Sequence, residues 1–384
     1  MRVISVLTVL TCALLPSCRG AEPQTSSAPQ ALSAAPVVVY GGPTILWHRI
    51  GHAVFLSDAS VVAINAGFHE LLRFDSAGRF MSRWGGAGGG PGEFRDIWSL
   101  SVGASDSLYV YDARERRMSV FDRSGTLGRV VRLQGLDSLG WPHHVGALGT
   151  GQIVGGFPSR VPGVGLVRDT LLVVTFGSTG SADHLVARVP HAYTHWGPHT
   201  MPGSGETGMF PLPVPFSGLA ALALGFEDIY IGDGASGAIT RIGPDGARRV
   251  TVLGVARERL TEAHRDALFG SLSPRMRGPE FDVLRTLSGP DHFPAFGQEA
   301  LTARVGNTTL VLSDSGEVWV QPFRLSDSLP GSWLRVDRDG RMIGSVAVPA
   351  AFRPTDVRGE FVLGVFTLAD GTEELRAYSV RPPP

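Results

Sequence analysis

The chain has 384 residues, 43% of them hydrophobic, with 50 glycines, 27 prolines and a formal net charge of −1. Lysine is absent, so every side-chain cation other than histidine is an arginine. Near-neutral charge removes the basic footprint of a nucleic-acid binder, and without lysine the Gly-Lys-Ser/Thr of a phosphate-binding loop cannot be built.

The first twenty residues, MRVISVLTVLTCALLPSCRG, set Arg2 before an apolar run from Val3 to Leu15, then Leu15-Pro16-Ser17-Cys18. A basic start and a short apolar run describe an export signal, too short to span a bilayer. Leu-x-small-Cys resembles the bacterial lipobox. That resemblance implies that Cys18 becomes the acylated first residue, holding the protein to a membrane of the bacterial cell envelope, periplasmic or surface-exposed. Cys12 leaves with the signal, so no disulfide is expected in the exported part. Residues 19–43, with AEPQTSSAPQALSAAP at their centre, lack the apolar content to build a core and read as a disordered tether. The folded domain is expected over 44–384.

Beyond the tether the chain repeats one unit. SVVAINAGFHELLRFDSAGRFMSRWG (60–85) recurs as SLYVYDARERRMSVFDRSGTLGRVVRL (107–133), with Asp75-Ser-Ala-Gly78 aligned on Asp122-Arg-Ser-Gly125. Further copies are DIYIGDGASGAITRIGPDGARRVTVL (228–253) and the stretch from EVWVQPF to MIGSVAVP (317–349); TLLVVTFGSTGSADHLVARV (170–189) has lost the Asp. In such a hairpin Asp bonds its own turn backbone and Gly supplies positive φ. A four-stranded unit recurring every ~45–50 residues is a propeller blade, which buries its faces only by stacking in a closed ring.

Blades 1 to 5 are expected to run from HAVFLSD to RFMSRWG, DIWSLSVG to LGRVVRL, HHVGALG to HLVARV, GLAALALG to RRVTVL, and TLVLSD to MIGSVAV. The sixth, PTDVRG, EFVLGVFTL and ELRAYSV, has three strands. TILWHRIG (Thr44–Gly51) is expected to complete it from the N-terminal side, so that no edge stays free.

WGGAGGGPGEF (Trp84–Phe94) carries six glycines, yet none of its frames gives G-x-G-x-x-G and no helical pattern follows. It reads as a crossover from the rim of one blade to the axis of the next, with Phe94 packed between blades 1 and 2. Together with LYVYDARERRMSVFDRSG, and with the late run from HFPAFGQEALTARV to EFVLGV, it resembles the NHL-type six-bladed β-propellers, in particular those of bacterial envelopes. The resemblance covers Thr44 to the C-terminus and implies an all-β, six-bladed ring. The Trp-Asp and Gly-His marks of WD40 blades are absent.

Candidate chemistry is sparse. His191, His195 and His199 recur at intervals of four and would share one helix face as metal ligands, but Pro190, Gly197 and Pro198 argue against a helix. His143 and His144 fall on the inner strand of blade 3, where alternation is expected to turn only one toward the axis. No G-x-S-x-G or H-E-x-x-H occurs. Between blades 4 and 5, residues 255–296 break the repeat: Leu260, Ala263, Ala267 and Leu268 fall at helical spacing, and FDVLRTL suggests a second short helix. This insertion is expected to be a lid, a partner surface or a structural cap. Tyr193–Pro215, rich in Pro and Gly, is expected to be a long loop on which Trp196 and Phe210 are candidate ligand contacts.

The functional expectation is a monomeric, lipid-anchored binding or scaffold protein, without a cofactor, that engages a protein or glycan through its loop-bearing face. The alternative is a calcium- or zinc-dependent propeller hydrolase or lyase, lactonase-like or amidating-lyase-like, with its site at the channel.

Overall fold

The computed structural model describes residues 29–159, 164–200, 207–271, 290–297, 309–324 and 330–381. Two short strands come first, β1 (Gln30–Leu32) and β2 (Val38–Tyr40). An antiparallel meander follows: β3 (Ile50–Phe55), β4 (Val61–Asn65), β5 (Glu70–Phe74) and β6 (Phe80–Gly85). The second is β7 (Ile97–Val102), β8 (Leu108–Asp112), β9 (Arg117–Phe121) and β10 (Leu127–Arg132). After the single turn α1 (Leu136–Leu139), the third has five strands: β11 (His144–Ala147), β12 (Ile153–Ser159), β13 (Gly165–Phe176), β14 (Ala182–Thr200) and β15 (Thr207–Pro213). The fourth is β16 (Ala220–Leu224), β17 (Ile229–Asp233), β18 (Ala238–Ile242) and β19 (Arg248–Val252), followed by α2 (Glu262–Ser271). The last two runs are β20 (Leu310–Leu312), β21 (Val318–Val320), β22 (Gly331–Val336), β23 (Met342–Val348), and β24 (Phe352–Arg358), β25 (Phe361–Thr367), β26 (Glu373–Arg381).

The first strands of successive meanders touch in the order β3, β7, β11, β16, β20, β24 and back to β3, so the sheets close a ring. The fold is an all-β propeller. Central strands such as β4, β8 and β9 are buried along their whole length, because both faces of each sheet meet a neighbouring sheet. Outer strands β10 and β19 are largely exposed at the rim. The Asp-x-x-Gly turns form as the sequence indicates. Asp75, Asp122 and Asp337 each accept two backbone N–H groups of their own turn, and Gly78, Gly125 and Gly340 sit at φ 82°, 89° and 82°. The Arg79 N–H and guanidinium hold the Asp75 carboxyl below the usual range, and the Ser124 hydroxyl with the Thr126 N–H does the same for Asp122.

Trp84–Phe94 is the expected crossover. Phe94 is fully buried among Leu71 and Trp84 of the first meander and Leu108, Val110 and Phe121 of the second. The buried Arg117 guanidinium donates to the carbonyls of Gly89, Gly90 and Glu93 at 2.9, 2.8 and 2.7 Å. Gly85, at φ 89°, lies against the Phe94 ring, where a Cβ would approach to 2.8 Å.

Ring closure departs from expectation. The strand that completes the last sheet is β2, paired antiparallel with β26 through Val38–Ala377 and Tyr40–Leu375, rather than Thr44–Gly51. Tyr40, 2% exposed, supplies the anchor against Phe74 and Leu375, whereas Leu46 is 74% exposed and Ile50 already belongs to β3. β1 lies parallel to β23 and antiparallel to β26, joining the last two meanders into one nine-stranded sheet. The stretch 30–43 is therefore partly ordered and not wholly a tether; the expected export signal, with Cys18, and the rest of residues 1–28 lie outside the described residues.

Tyr193–Pro215 is the second correction. β14 runs through it to Thr200, and β15 pairs back from Thr207 to Pro213. Pro211 and Pro213 sit on the sheet's edge strand, where a missing N–H leaves no bond unmade. In the insertion α2 forms, but its buried face is Leu268 and Phe269, 4% and 2% exposed, while Ala263 and Ala267 of the expected face are exposed to solvent; the expected FDVLRTL helix falls outside the described residues. No helix among the described residues is long and apolar enough to cross a membrane.

Candidate functional site

The six first strands surround a cavity of about 730 Å³. Its lower mouth, where these strands end, is belted by bonds between neighbouring meanders. Ser57 Oγ donates to Asp106 at 2.5 Å, Ala104 N–H to Gly149 O at 2.8 Å, Gly149 N–H to Gly225 O at 3.0 Å and Asp314 N–H to Val357 O at 3.2 Å. Arg358 donates to the carbonyls of Leu56 and Ser57. Asp356 lies inside this belt, accepting from Phe55 and Val357 N–H at 2.7 and 2.9 Å. Burial pushes its carboxyl up to about 6, opposed by those two N–H groups and Arg358.

The upper mouth, where the first strands begin, carries the histidines. His143 and His144 both line the cavity. The expected alternation fails because β11 starts at His144 and His143 still belongs to the connection before it. Burial keeps both imidazoles well below their ordinary range, His144 at about 3, where the neighbouring His143 and His52 add to the effect. His191 also lines the cavity; its ring meets His143 edge-on at 5.1 Å, and its Nδ1 accepts Ala220 N–H at 3.0 Å. His195 lies farther along β14 and is not part of the cavity wall, and the side chain of His199 lies outside the described residues.

Sequence reasoning missed His52, Asp169 and the aromatic pair at the mouth. His52 Nδ1 lies 2.7 Å from Leu100 O and Nε2 3.0 Å from Thr355 O, spanning from the second meander to the last. Burial lowers its pKa despite the two carbonyls that favour the cation. Asp169 sits at a register shift between β13 and β14 and accepts from Thr194 Oγ1 at 3.2 Å. Trp98 and Trp141 meet at 6.2 Å, and Trp98 Nε1–H is fixed on Asp96 at 2.8 Å. The only advance signal was the run Trp141-Pro142-His143-His144, chemistry-bearing residues beside a proline at a strand start.

The two irregular stretches meet above this mouth. Leu212 of β15, Phe216, Leu260, Leu268, Phe269, Phe293 and Phe323 form one apolar cluster, with Phe293 stacked on Phe323 at 5.4 Å. The base of the β14–β15 ribbon, including Thr194, Pro211 and Pro213, lines the cavity, while none of the described residues of 255–296 does. The described residues of the insertion thus pack against the ribbon's base. Trp196 of that ribbon does not line the cavity either.

Among the described residues no three His, Cys, Asp or Glu are grouped to hold a metal ion. No family model and no curated protein sequence matches this chain. Solved structures resemble it at low identity. An exported protein of Bacteroides fragilis is 10% identical over 94% of this chain and 98% of that chain, with a TM-score of 0.49. A gluconolactonase of Xanthomonas campestris is 11% identical over 95% and 99%, with a TM-score of 0.42. A virginiamycin B lyase from Staphylococcus aureus is 10% identical over 86% and 85%, with a TM-score of 0.38. At this distance no activity transfers, and the fold rests on the strand pairing described above.

Proposed function

We propose that this chain is an exported six-bladed propeller of the NHL type, held at a bacterial envelope membrane through Cys18, that binds a small molecule, or a small group of a protein or glycan partner, in its central channel. The observation that carries this reading is the cavity of about 730 Å³, walled by all six first strands and rimmed on one side by the β14–β15 ribbon. Ligand sites typically occupy roughly 300–1,000 Å³, mostly apolar with a few polar groups. Here Leu100, Ala220, Leu222 and Val311 supply apolar wall and the histidines, Asp169 and Asp356 the polar points.

The metal-dependent hydrolase or lyase is the second reading. Buried imidazoles and an aspartate with a raised pKa, on the wall of one cavity, are groups that acid–base chemistry uses. It stands behind binding because the described residues do not gather a ligand triad.

The test is thermal shift and native mass spectrometry on the mature chain in detergent, wild type beside Leu224→Trp, which fills the channel from the half-buried Leu224. Small amphipathic compounds are expected to bind wild type as a 1:1 adduct and not the filled variant. Lactone turnover that requires added calcium or zinc would replace the binding reading with the enzyme.

A further inference from the structure

We infer that the upper mouth is a subsite for a neutral sugar ring, its apolar face on Trp141 and its hydroxyls on His143, His144 and Asp169. This rests on the channel being a ligand site and names what it takes.

Trp141 is the first observation. It is 60% exposed, unusually open for an indole, and it lines the cavity. Its ring is held in place: Trp98 backs it at 6.2 Å, tilted by 33°, and the Arg116 guanidinium sits 5.8 Å from its centroid. A fixed, solvent-facing aromatic at the rim of a cavity is a stacking platform. The C–H-rich face of a pyranose gains by leaving water there.

The polar groups select the class. Among the described residues, the ring nitrogens of His143 and His144 have no protein hydrogen-bond partner and border the cavity. His191 takes Ala220 N–H on Nδ1, which puts its own proton on Nε2 in the neutral form. A neutral imidazole presents one donor and one acceptor, and a hydroxyl presents the same pair. A carboxylate or phosphate offers acceptors alone, and an ammonium donors alone, so either leaves half of each imidazole unmatched. The fixed charges nearby favour neither sign. Arg116 is engaged by Trp141 and Asp137, Arg168 lies between Asp233 and the Tyr193 ring, and Asp169 is one of the carboxylates on the wall, the others, Asp106, Asp314 and Asp356, lying toward the lower mouth. Asp169 serves as an acceptor for a sugar hydroxyl.

Titration of the mature chain with neutral mono- and disaccharides of glucose, galactose and N-acetylglucosamine tests this, read by tryptophan fluorescence and saturation-transfer NMR. At least one neutral sugar is expected to bind, with transfer to its ring C–H protons. Trp141→Ala is expected to weaken that binding at least tenfold and His144→Leu similarly, while Val250→Ala, 61% exposed on the rim strand β19 and off the cavity, leaves it unchanged. Trp141 is exposed enough that its removal spares the fold, checked by the melting curve. An uncharged apolar fluorophore is titrated in parallel. If the fluorophore binds in the channel, displaced by Leu224→Trp, and no neutral sugar does, the sugar subsite is refuted and the channel site stands. If neither binds, both readings fall. Tighter binding of glucuronate than of glucose would also overturn the neutral-sugar assignment.

Discussion

Replacing Tyr40 by Ala tests which N-terminal segment closes the ring. Tyr40 is 2% exposed, packs edge-on against Phe74 at 5.9 Å, and shares a cluster with Ile50, Leu72 and Leu375. Removing a buried aromatic ring costs about 3–5 kcal/mol through lost burial and the cavity left behind. With an unfolding entropy of ~2.1 cal/mol/K per residue, a chain of this length melting as one unit loses roughly 4–7 °C. Leu46, in the segment the sequence favoured for closure, is 74% exposed, so Leu46→Ala is expected to shift stability by less than about 0.5 kcal/mol, under 1 °C. A chain starting at Thr44 loses β1 and β2 together and exposes the β26 edge they cover, so it is expected to melt below Tyr40→Ala. The assay is calorimetry of the four chains at one pH. If Tyr40→Ala melts within a degree of wild type while Leu46→Ala loses several, the closing strand has been placed wrongly.

Four further outcomes are expected. Folded His144 titrates at about 3, against ~6.5 in the unfolded chain, so below pH 6.5 the unfolded state takes up a proton that the folded state refuses. Stability then falls by up to ~1.4 kcal/mol per pH unit on this account, about 2 kcal/mol from pH 6.5 to 5, and urea titrations should show His144→Gln losing that much less; equal slopes would refute it. Asp356 acts the other way: its carboxyl, raised to about 6, binds a proton in the folded state first, so stability recovers as pH falls from 6 toward 4, and Asp356→Asn should abolish that recovery. Arg117→Met strands three carbonyls of the glycine-rich crossover, costing about 2–4 kcal/mol, and amide exchange at Gly88 and Phe94 should quicken before the rest of the second meander. Cys18→Ser is expected to end fatty-acid labelling and move the protein from the membrane to the soluble fraction.

The sequence by itself determined what is local. Alternating apolar runs and Asp-x-x-Gly turns specify each meander, since a hairpin needs only a positive-φ glycine and a carboxylate that satisfies its own turn. The same logic identified Trp84–Phe94 as a crossover and α2 as a helix. Composition misled where partners lie far off in the chain. Ala- and Pro-rich 30–43 orders because β26, more than 300 residues later, offers it an edge and a pocket for Tyr40. The Pro- and Gly-rich ribbon is a strand pair because β14 continues beyond its sheet and carries β15 with it. Only the closed ring decided the site. His52 reaches Leu100 and Thr355 because ring closure sets the first strands side by side, and His143 meets His191 because the long β14 of the same meander brings it to the mouth. Spacing along one strand did not do this: of His191 and His195, only His191 lines the cavity. Which side chains share a channel depends on rotation about an axis that no single repeat contains.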